Sequence, residues 1–230
     1  MISVVMPIFN EMQNGYIQRS LPLLKSLSCE LILVDGGSTD GTTEFLDTLE
    51  LKYISAPKST RLKRLQLGLS AAQGEIIILH HPRSILEARA LKEVLYTPAA
   101  WGAFTHKFDY QHPLLKFTSF YSNFIRGDLK HIFYLDHCLY LKSDLKERLL
   151  SIKDCEIFED TEICKELNKY AKPLRLKAIS YTSAVRFLKN GVIKQAILNQ
   201  KMKWLYYKNS NHKIMNKEYE KDLNLNNETK

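Results

Sequence analysis

The chain has 230 residues, 45% of them apolar, enough to close one sizeable core and too few for two full catalytic domains. Its formal charge of +8 suits anionic partners without choosing among nucleotide diphosphates, nucleic acid and acidic lipid. The basic residues are dispersed and no reading helix or aromatic nucleic-acid motif accompanies them, so a nucleic-acid partner is not expected.

Residues 2–9 form a β-branched apolar run ending in a polar turn, and residues 30–35 form a second; both read as buried parallel strands. Between them Ile17, Leu21, Leu24 and Leu27 share one face at helical spacing, which predicts a β-α-β crossover. A helix over 42–49, a strand over 52–55, a helix over 59–72 stopped by Gly74 and a strand over 75–79 follow. This alternation predicts an α/β fold with an open, mostly parallel sheet flanked by helices, whose ligands bind beyond the carboxyl ends of the strands.

After residue 85 the pattern loosens into an amphipathic helix over 85–96, an aromatic-rich stretch over 101–135, a strand over 136–142, and helices near 144–150 and 160–170. Residues 191–208 read as a basic amphipathic helix, and residues 209–230 as a polar, disordered tail with little to bury. Cys29, Cys138, Cys155 and Cys164 include no C-x-x-C pair, so neither a zinc site nor a disulfide framework is suggested and a reducing cytoplasm is expected. The first residues lack the features of a signal peptide, and no apolar run approaches about 18 residues.

Three segments carry candidate chemistry in the first half. The first is the strand Ile2-Ser3-Val4-Val5-Met6-Pro7-Ile8-Phe9 followed by Asn10-Glu11. The second is Leu31-Ile32-Leu33-Val34-Asp35-Gly36-Gly37-Ser38-Thr39-Asp40-Gly41-Thr42. There, a carboxylate at the strand end can accept from a uracil imide N–H, the glycines let backbone amides approach a ligand, and Asp40 can cap the next helix. A plain strand-turn-helix with glycine at positive φ is the other reading. The third is Arg61, with Lys63, Arg64 and Gln66 on the helix before Gly74-Glu75; Lys63 and Arg64 read as a solvated face.

In this order and these places the segments resemble family 2 glycosyltransferases, over roughly residues 2–208. The resemblance implies the GT-A fold, a nucleotide-diphosphate sugar as donor, a UDP-sugar first among them, and a hydroxyl acceptor. It implies nucleotide contacts at Pro7, Phe9, Asn10, Glu11, Asp35, Gly36, Gly37, Ser38, Arg61 and His81. One domain is then expected over 1–208, with a nucleotide-binding half at 1–84, an acceptor half at 85–190 and the basic helix at 191–208.

The chain departs from the family at its metal motif. There the strand after Gly74-Glu75 should end in an aspartate segment that holds magnesium or manganese against the donor diphosphate, but the sequence reads Leu79-His80-His81-Pro82-Arg83-Ser84. Arginine offers only donors and ligates no magnesium, yet it binds phosphate oxygens in a bidentate way. A fixed cation can therefore neutralise the leaving diphosphate in place of an ion. Neighbouring histidines on a strand point to opposite faces and do not chelate together. The expectation is a metal-independent site using Arg83, with no metal ligands; a surface turn without a catalytic role is the alternative.

Phe158-Glu159-Asp160-Thr161-Glu162 resembles the family's E-D segment, implying Asp160, beside Glu159, as the general base that deprotonates the acceptor for inverting attack. Helix capping is the other reading. Tyr134-Leu135-Asp136-His137 resembles a G-D-Q segment and places Asp136 and His137 in the acceptor and donor pocket; Thr182-Ser183-Ala184-Val185-Arg186-Phe187 places Arg186 near the site. That last element, with Gly191-Val192 through Asn199, resembles a small bacterial subgroup of arsenosugar-biosynthesis glycosyltransferases. The basic helix carries Ile193, Ala196, Ile197, Trp204 and Leu205 beside lysines; docking on the domain's own core is expected, and peripheral contact with an anionic membrane is the alternative. A nucleotidyltransferase would need a glycine-rich basic loop after the first strand, and Pro7-Ile8-Phe9-Asn10-Glu11 is none. The stronger rival is a degenerate transferase that binds a nucleotide or partner protein without turnover; Asp160 favours the enzyme.

Overall fold

A computed structural model describes residues 1–208 and 210–220. Strands β1 (Ile2–Ile8), β2 (Glu30–Asp35), β3 (Tyr53–Ser55) and β4 (Ile76–Leu79) alternate with helices α1 (Ile17–Lys25), α2 (Thr42–Thr48) and α3 (Arg61–Ala71). The remaining elements are β5 (Ser84–Leu86), α4 (Ala90–Leu95), β6 (Trp101–Phe108), α5 (Pro113–Phe120), β7 (Leu139–Lys142), α6 (Lys146–Leu150), α7 (Glu159–Asn168), β8 (Leu174–Thr182), α8 (Val185–Asn190), α9 (Val192–Tyr207) and α10 (His212–Glu220). Between α5 and β7 lie a π-helical segment, Tyr121–Leu129, and a 3-10 turn, Leu135–His137.

All eight strands join one sheet in the order β3-β2-β1-β4-β7-β6-β8-β5. β1 pairs parallel with both β2 and β4, so the chain's first strand is central to the first half. Strand alternation then sends its side chains to two cores. Val5 joins Leu62, Leu65 and Leu69 of α3 and Ile163 and Leu167 of α7 on one face; Val4, Met6 and Ile8 join Ile17 and Leu21 of α1 and Val94 of α4 on the other. Each fully buried leucine or isoleucine contributes about 1.5–3 kcal/mol, which is what holds α3 and α7 against the sheet.

The second half corrects the expected pattern. Parallel pairing holds for β1–β2, β1–β4, β2–β3 and β6–β8, but β4–β7, β6–β7 and β5–β8 are antiparallel, so the sheet is mixed. The helix expected over 85–96 begins as β5, because Ser84, Ile85 and Leu86 pair with Thr182, Tyr181 and Ser180. The strand expected over 136–142 starts only at Leu139, after the 3-10 turn and a left-handed Cys138 at φ 54°. Within the expected disordered tail, His212–Glu220 is a helix, because Met215 is buried against Met202, Tyr206 and Ile157. Residues 209 and 221–230 of that tail lie outside the described residues.

α9 docks on the domain as expected, through Ala196 and Leu205 of the expected face and through residues that face did not include. Gln195, Met202 and Tyr206 are buried, whereas Ile193, Ile197 and Trp204 are exposed. Gln195 tolerates burial because its amide accepts from Asn190 at 2.6 Å and donates to Asn199 at 2.8 Å. Among the described residues no helix is long and apolar enough to cross a membrane.

Candidate active site

Beyond the carboxyl ends of β1 and β4, a cavity of about 270 Å³ opens between the two halves of the sheet. Its first wall begins where β1 ends. The left-handed Asn10 (φ 51°) turns the chain, donates its N–H to Ser38 Oγ at 2.9 Å and accepts from Thr39 N–H at 2.8 Å. Glu11 N–H donates to Thr42 Oγ1 at 3.0 Å, and Met12 N–H to Asp40 Oδ2 at 2.9 Å. These bonds lock the ends of β1 and β2 together. Asp40 also accepts from Thr42 N–H at 3.1 Å, but the N-cap of α2 is Gly41, which makes no side-chain bond, so Asp40 stands one residue before the position a cap would take.

Asp35 is buried and serves this turn. Its carboxylate accepts from Gly37 N–H at 2.8 Å, Ser38 N–H at 3.0 Å and the Ser38 hydroxyl. Neither Asp35 nor Asn10, Gly36, Gly37 or Ser38 borders the cavity, whereas Pro7, Phe9 and Glu11 do. Gly36 makes room for protein: a Cβ there would lie 2.2 Å from Arg64 Nη1. Arg64 is accordingly buried, donates to Ser59 O at 2.8 Å, lies 5.6 Å from the Phe9 ring and borders the cavity, so it is not the solvated residue its helix pattern suggests. Lys63 is exposed as expected, and Gln66 binds the carbonyls of Leu149, Leu150 and Ile152, tying α3 to the end of α6.

The segment after β4 places His80 and His81 on opposite sides. His80 is wholly buried, and burial holds its imidazole down at about 4, hence neutral. His81 borders the cavity, and its Nδ1 accepts from Arg83 N–H at 3.2 Å. Burial first, then the charges of Arg61, Arg83 and Arg186, push its pKa well below the usual range. Arg61, Arg83 and Arg186 border the same cavity as His81.

Arg83 meets a carboxylate of its own chain. Its Nε donates to Glu11 Oε2 at 2.8 Å and its Nη2 to Glu11 Oε1 at 3.3 Å, with both side chains buried. This bidentate pair ties the end of β1 to the loop after β4. The arginine expected to grip phosphate thus has two of its donors on Glu11. At the position where the resemblance expects a metal-binding aspartate, the two side chains are an imidazole and an arginine, neither of which offers magnesium or manganese an oxygen ligand.

The opposite wall is built by α7 and the turn before β7. The left-handed Phe158 (φ 64°) aims the first turn of α7 inward. Glu159 pairs with Arg61 of α3 and does not itself border the cavity. Asp160 does, and it accepts from Leu135 N–H and the Thr161 hydroxyl, each at 3.3 Å. Its pKa is raised to about 7, by burial first and then by the neighbouring Glu159, against the opposing charges of Arg61 and Arg126. The helix N-terminus favours a carboxylate, but here desolvation wins.

Asp136 also borders the cavity, held by its backbone carbonyl, which accepts from Ser180 at 2.7 Å and Thr182 at 3.0 Å. Its Oδ2 lies 3.6 Å from His106 Nε2, a ring that burial keeps neutral despite the carboxylate. His137 belongs to the core and not to the pocket: its Nδ1 lies 3.1 Å from Phe104 O and its Nε2 2.9 Å from Ser122 Oγ, so Nδ1 carries the proton and Nε2 accepts. Arg186, at the start of α8, borders the cavity with its guanidinium 4.7 Å from the Tyr219 ring of α10. Besides Arg64, sequence reasoning missed His106, Arg126, Tyr134 and Lys203 in this lining.

Comparison with known proteins bears on the fold. Residues 3–82 match the family model of glycosyl transferase family 2. No curated protein matches in sequence. The structure is similar to that of S. aureus TarS 1-349, at a TM-score of 0.61 and 16% identity, over 79% of this chain and 60% of that one. It is similar to the mannosyltransferase PcManGT from Pyrobaculum calidifontis, whose structure is in complex with GDP-Man and Mn2+, at a TM-score of 0.64 and 20% identity, over 87% and 60%. It is also similar to glucosyl-3-phosphoglycerate synthase from Mycobacterium tuberculosis, at 0.54 and 18% identity, over 78% and 70%. The chain thus matches only about 60% of the length of the first two, and what it shares with all three is the GT-A fold.

Proposed function

We propose that this chain is an inverting glycosyltransferase that moves a sugar from a nucleotide-diphosphate sugar to a hydroxyl acceptor without a divalent metal. The observation that carries the reading is the placing of Asp160 in one cavity with the ends of β1 and β4 and the cations Arg61, Arg83 and Arg186. A carboxylate with a pKa near 7 is half ionised at neutral pH and strong enough as a base to take the acceptor's proton. The acceptor oxygen then attacks the anomeric carbon from the face opposite the leaving diphosphate, which inverts that carbon. Negative charge develops on the diphosphate as the sugar–phosphate bond breaks, and the guanidinium groups around His81 neutralise it. Phe9, Pro7 and Arg64 form the wall that the nucleoside would meet. TarS 1-349 has been crystallised with UDP-GlcNAc, which makes a UDP-sugar the first donor to try.

Calorimetry with UDP-, GDP- and dTDP-sugars, with and without manganese, tests the reading. Binding is expected without metal, and a strict requirement for manganese would overturn the metal-independent site. A second reading, nucleotide or partner binding without turnover, is favoured by Arg83: its fork is engaged by Glu11, so the family's metal position is filled from within. Detecting sugar transfer or donor hydrolysis decides between them. The narrower reading, an enzyme of arsenosugar biosynthesis, rests on the resemblance of residues 182–199 alone. Membrane contact through exposed Ile193, Ile197 and Trp204 of α9 is the peripheral addition, and co-sedimentation with anionic liposomes that survives loss of residues 191–230 would dismiss it.

A further inference from the structure

Two basic side chains in the cavity stand apart from the guanidinium group around His81. Arg126, in the π-helical segment, is 8% exposed, borders the cavity and has an Nη1 with no hydrogen-bond partner. Its guanidinium lies 3.4 Å from the centroid of the Tyr134 ring, a contact that orients the charge without neutralising it. Lys203 of α9 brings its Nζ to 6.0 Å from the same ring and 5.7 Å from that of Tyr121. Among the described residues neither cation has a carboxylate within ion-pair distance; Asp160 and Asp136 act on Arg126 only at longer range. Burial, then the charges of Arg126 and Lys130, bring Lys203 down to about 8, the behaviour of adjacent cations lacking an anion. Leaving a buried charge uncompensated is costly, and a bound anion would relieve both.

Position says which ligand that anion belongs to. α3, with Arg61 and Arg64, packs on β1 and β2, whereas the π-helical segment packs on β6 and β8. In the sheet order β1 and β6 are three strand spacings apart, roughly 14 Å. Tyr134 immediately precedes Leu135, whose N–H holds Asp160. The pair therefore lies on the general-base side of the cavity, away from the nucleoside wall.

We propose that Arg126 and Lys203 form a subsite for an anionic group, a phosphate or carboxylate, carried by the acceptor, and so present its hydroxyl to Asp160. The inference rests on the transferase reading for the word acceptor, and on the two unpaired cations for the anion. The test is titration of the whole 230-residue chain with inorganic phosphate and with acetate, each alone and in the presence of saturating nucleotide, with UDP, GDP and dTDP tried in turn. At least one anion is expected to bind with the nucleotide in place. R126Q and K203Q should each weaken that binding by about tenfold or more while changing nucleotide affinity by less than about twofold. If R126Q does not fold, K203Q on the part-exposed α9 carries the test. Displacement of the anion by the nucleotide would assign the two cations to the donor diphosphate and overturn the proposal, as would anion binding indifferent to both substitutions or no anion binding at all. A chain that binds the anion through these residues yet binds none of the three nucleotides would keep the subsite and overturn the transferase reading instead.

Discussion

At the scale of single residues, the site is governed by which charges are paired. Asp160 has its folded pKa raised to about 7, first by burial and then by Glu159, so between the unfolded value near 4 and that folded value the native state holds the extra proton. Stability from this group is thus fully present below about pH 4 and is lost as pH rises through about 7. D160N should abolish transfer while leaving nucleotide binding intact, and it should raise the melting temperature at pH 8 but not at pH 4, by about 2–6 °C. Transfer by the wild type should fall as pH drops through about 7. Retained turnover, or equal melting shifts at both pH values, would refute the assignment. The Glu11–Arg83 pair makes the opposite prediction. R83M strands a buried carboxylate and should cost about 3–5 kcal/mol, whereas E11M with R83M should recover most of it. Chemical denaturation of the two single variants and the double variant measures the coupling, and costs that simply add would mean the pair is not one unit.

At the scale of elements, the first half was legible because its strands and helices follow one another at short range. β1, β2 and β4 are apolar runs, α1 and α3 carry their own helical period, and the Asp35 turn announces itself with paired glycines. The second half was less so, because its partners are remote. Nothing local marks Ser84–Leu86 as a strand; it becomes one by pairing with residues 180–182. Arg64 looked solvated because its burial depends on Gly36, on a different element. The docked face of α9 was legible only in part, at Ala196 and Leu205, because buried Gln195 satisfies its amide within the helix region, a polar solution that a search for apolar stripes passes over. Arg126 and Lys203 were missed for the same reason: only the folded positions of the π-helical segment and α9 bring them together at Tyr134. The remote pairing is also where the second half is most easily broken. A Cβ on Gly102 of β6 would lie 1.9 Å from the carbonyl oxygen of Leu174 on β8, backbone that cannot swing away. G102A should therefore separate β6 from β8 and lower the denaturation midpoint sharply, beyond the roughly 1–3 kcal/mol of ordinary overpacking; a change below about 1 kcal/mol would mean the strands slide at little cost.

At the scale of the whole molecule, the C-terminal helices close the cavity on the Asp160 side. Tyr206 of α9 stacks 4.6 Å from Phe158, the residue that aims α7, and its hydroxyl bonds Glu162 of the same helix. α10 then seals α9: Met215 is buried against Met202 and Tyr206, Glu218 pairs with Lys201, and Tyr219 meets Arg186. A chain ending at Lys208 keeps every strand and both cores of the sheet, but it loses the Met215 anchor, worth about 1.5–3 kcal/mol, and the Asn216 and Tyr219 part of the cavity wall. Nucleotide affinity should then change by less than about threefold, because β1, α3 and the loop after β4 are untouched and Arg186 loses only its contact with the Tyr219 ring. Transfer efficiency should fall by about tenfold or more, since small displacements of a positioned base are costly. Comparing the nucleotide dissociation constant with kcat/KM for the two chain lengths separates these effects. A parallel collapse of both would place α10 in the nucleotide site, whereas a drop confined to transfer ties the C-terminal helices to the aim of Asp160.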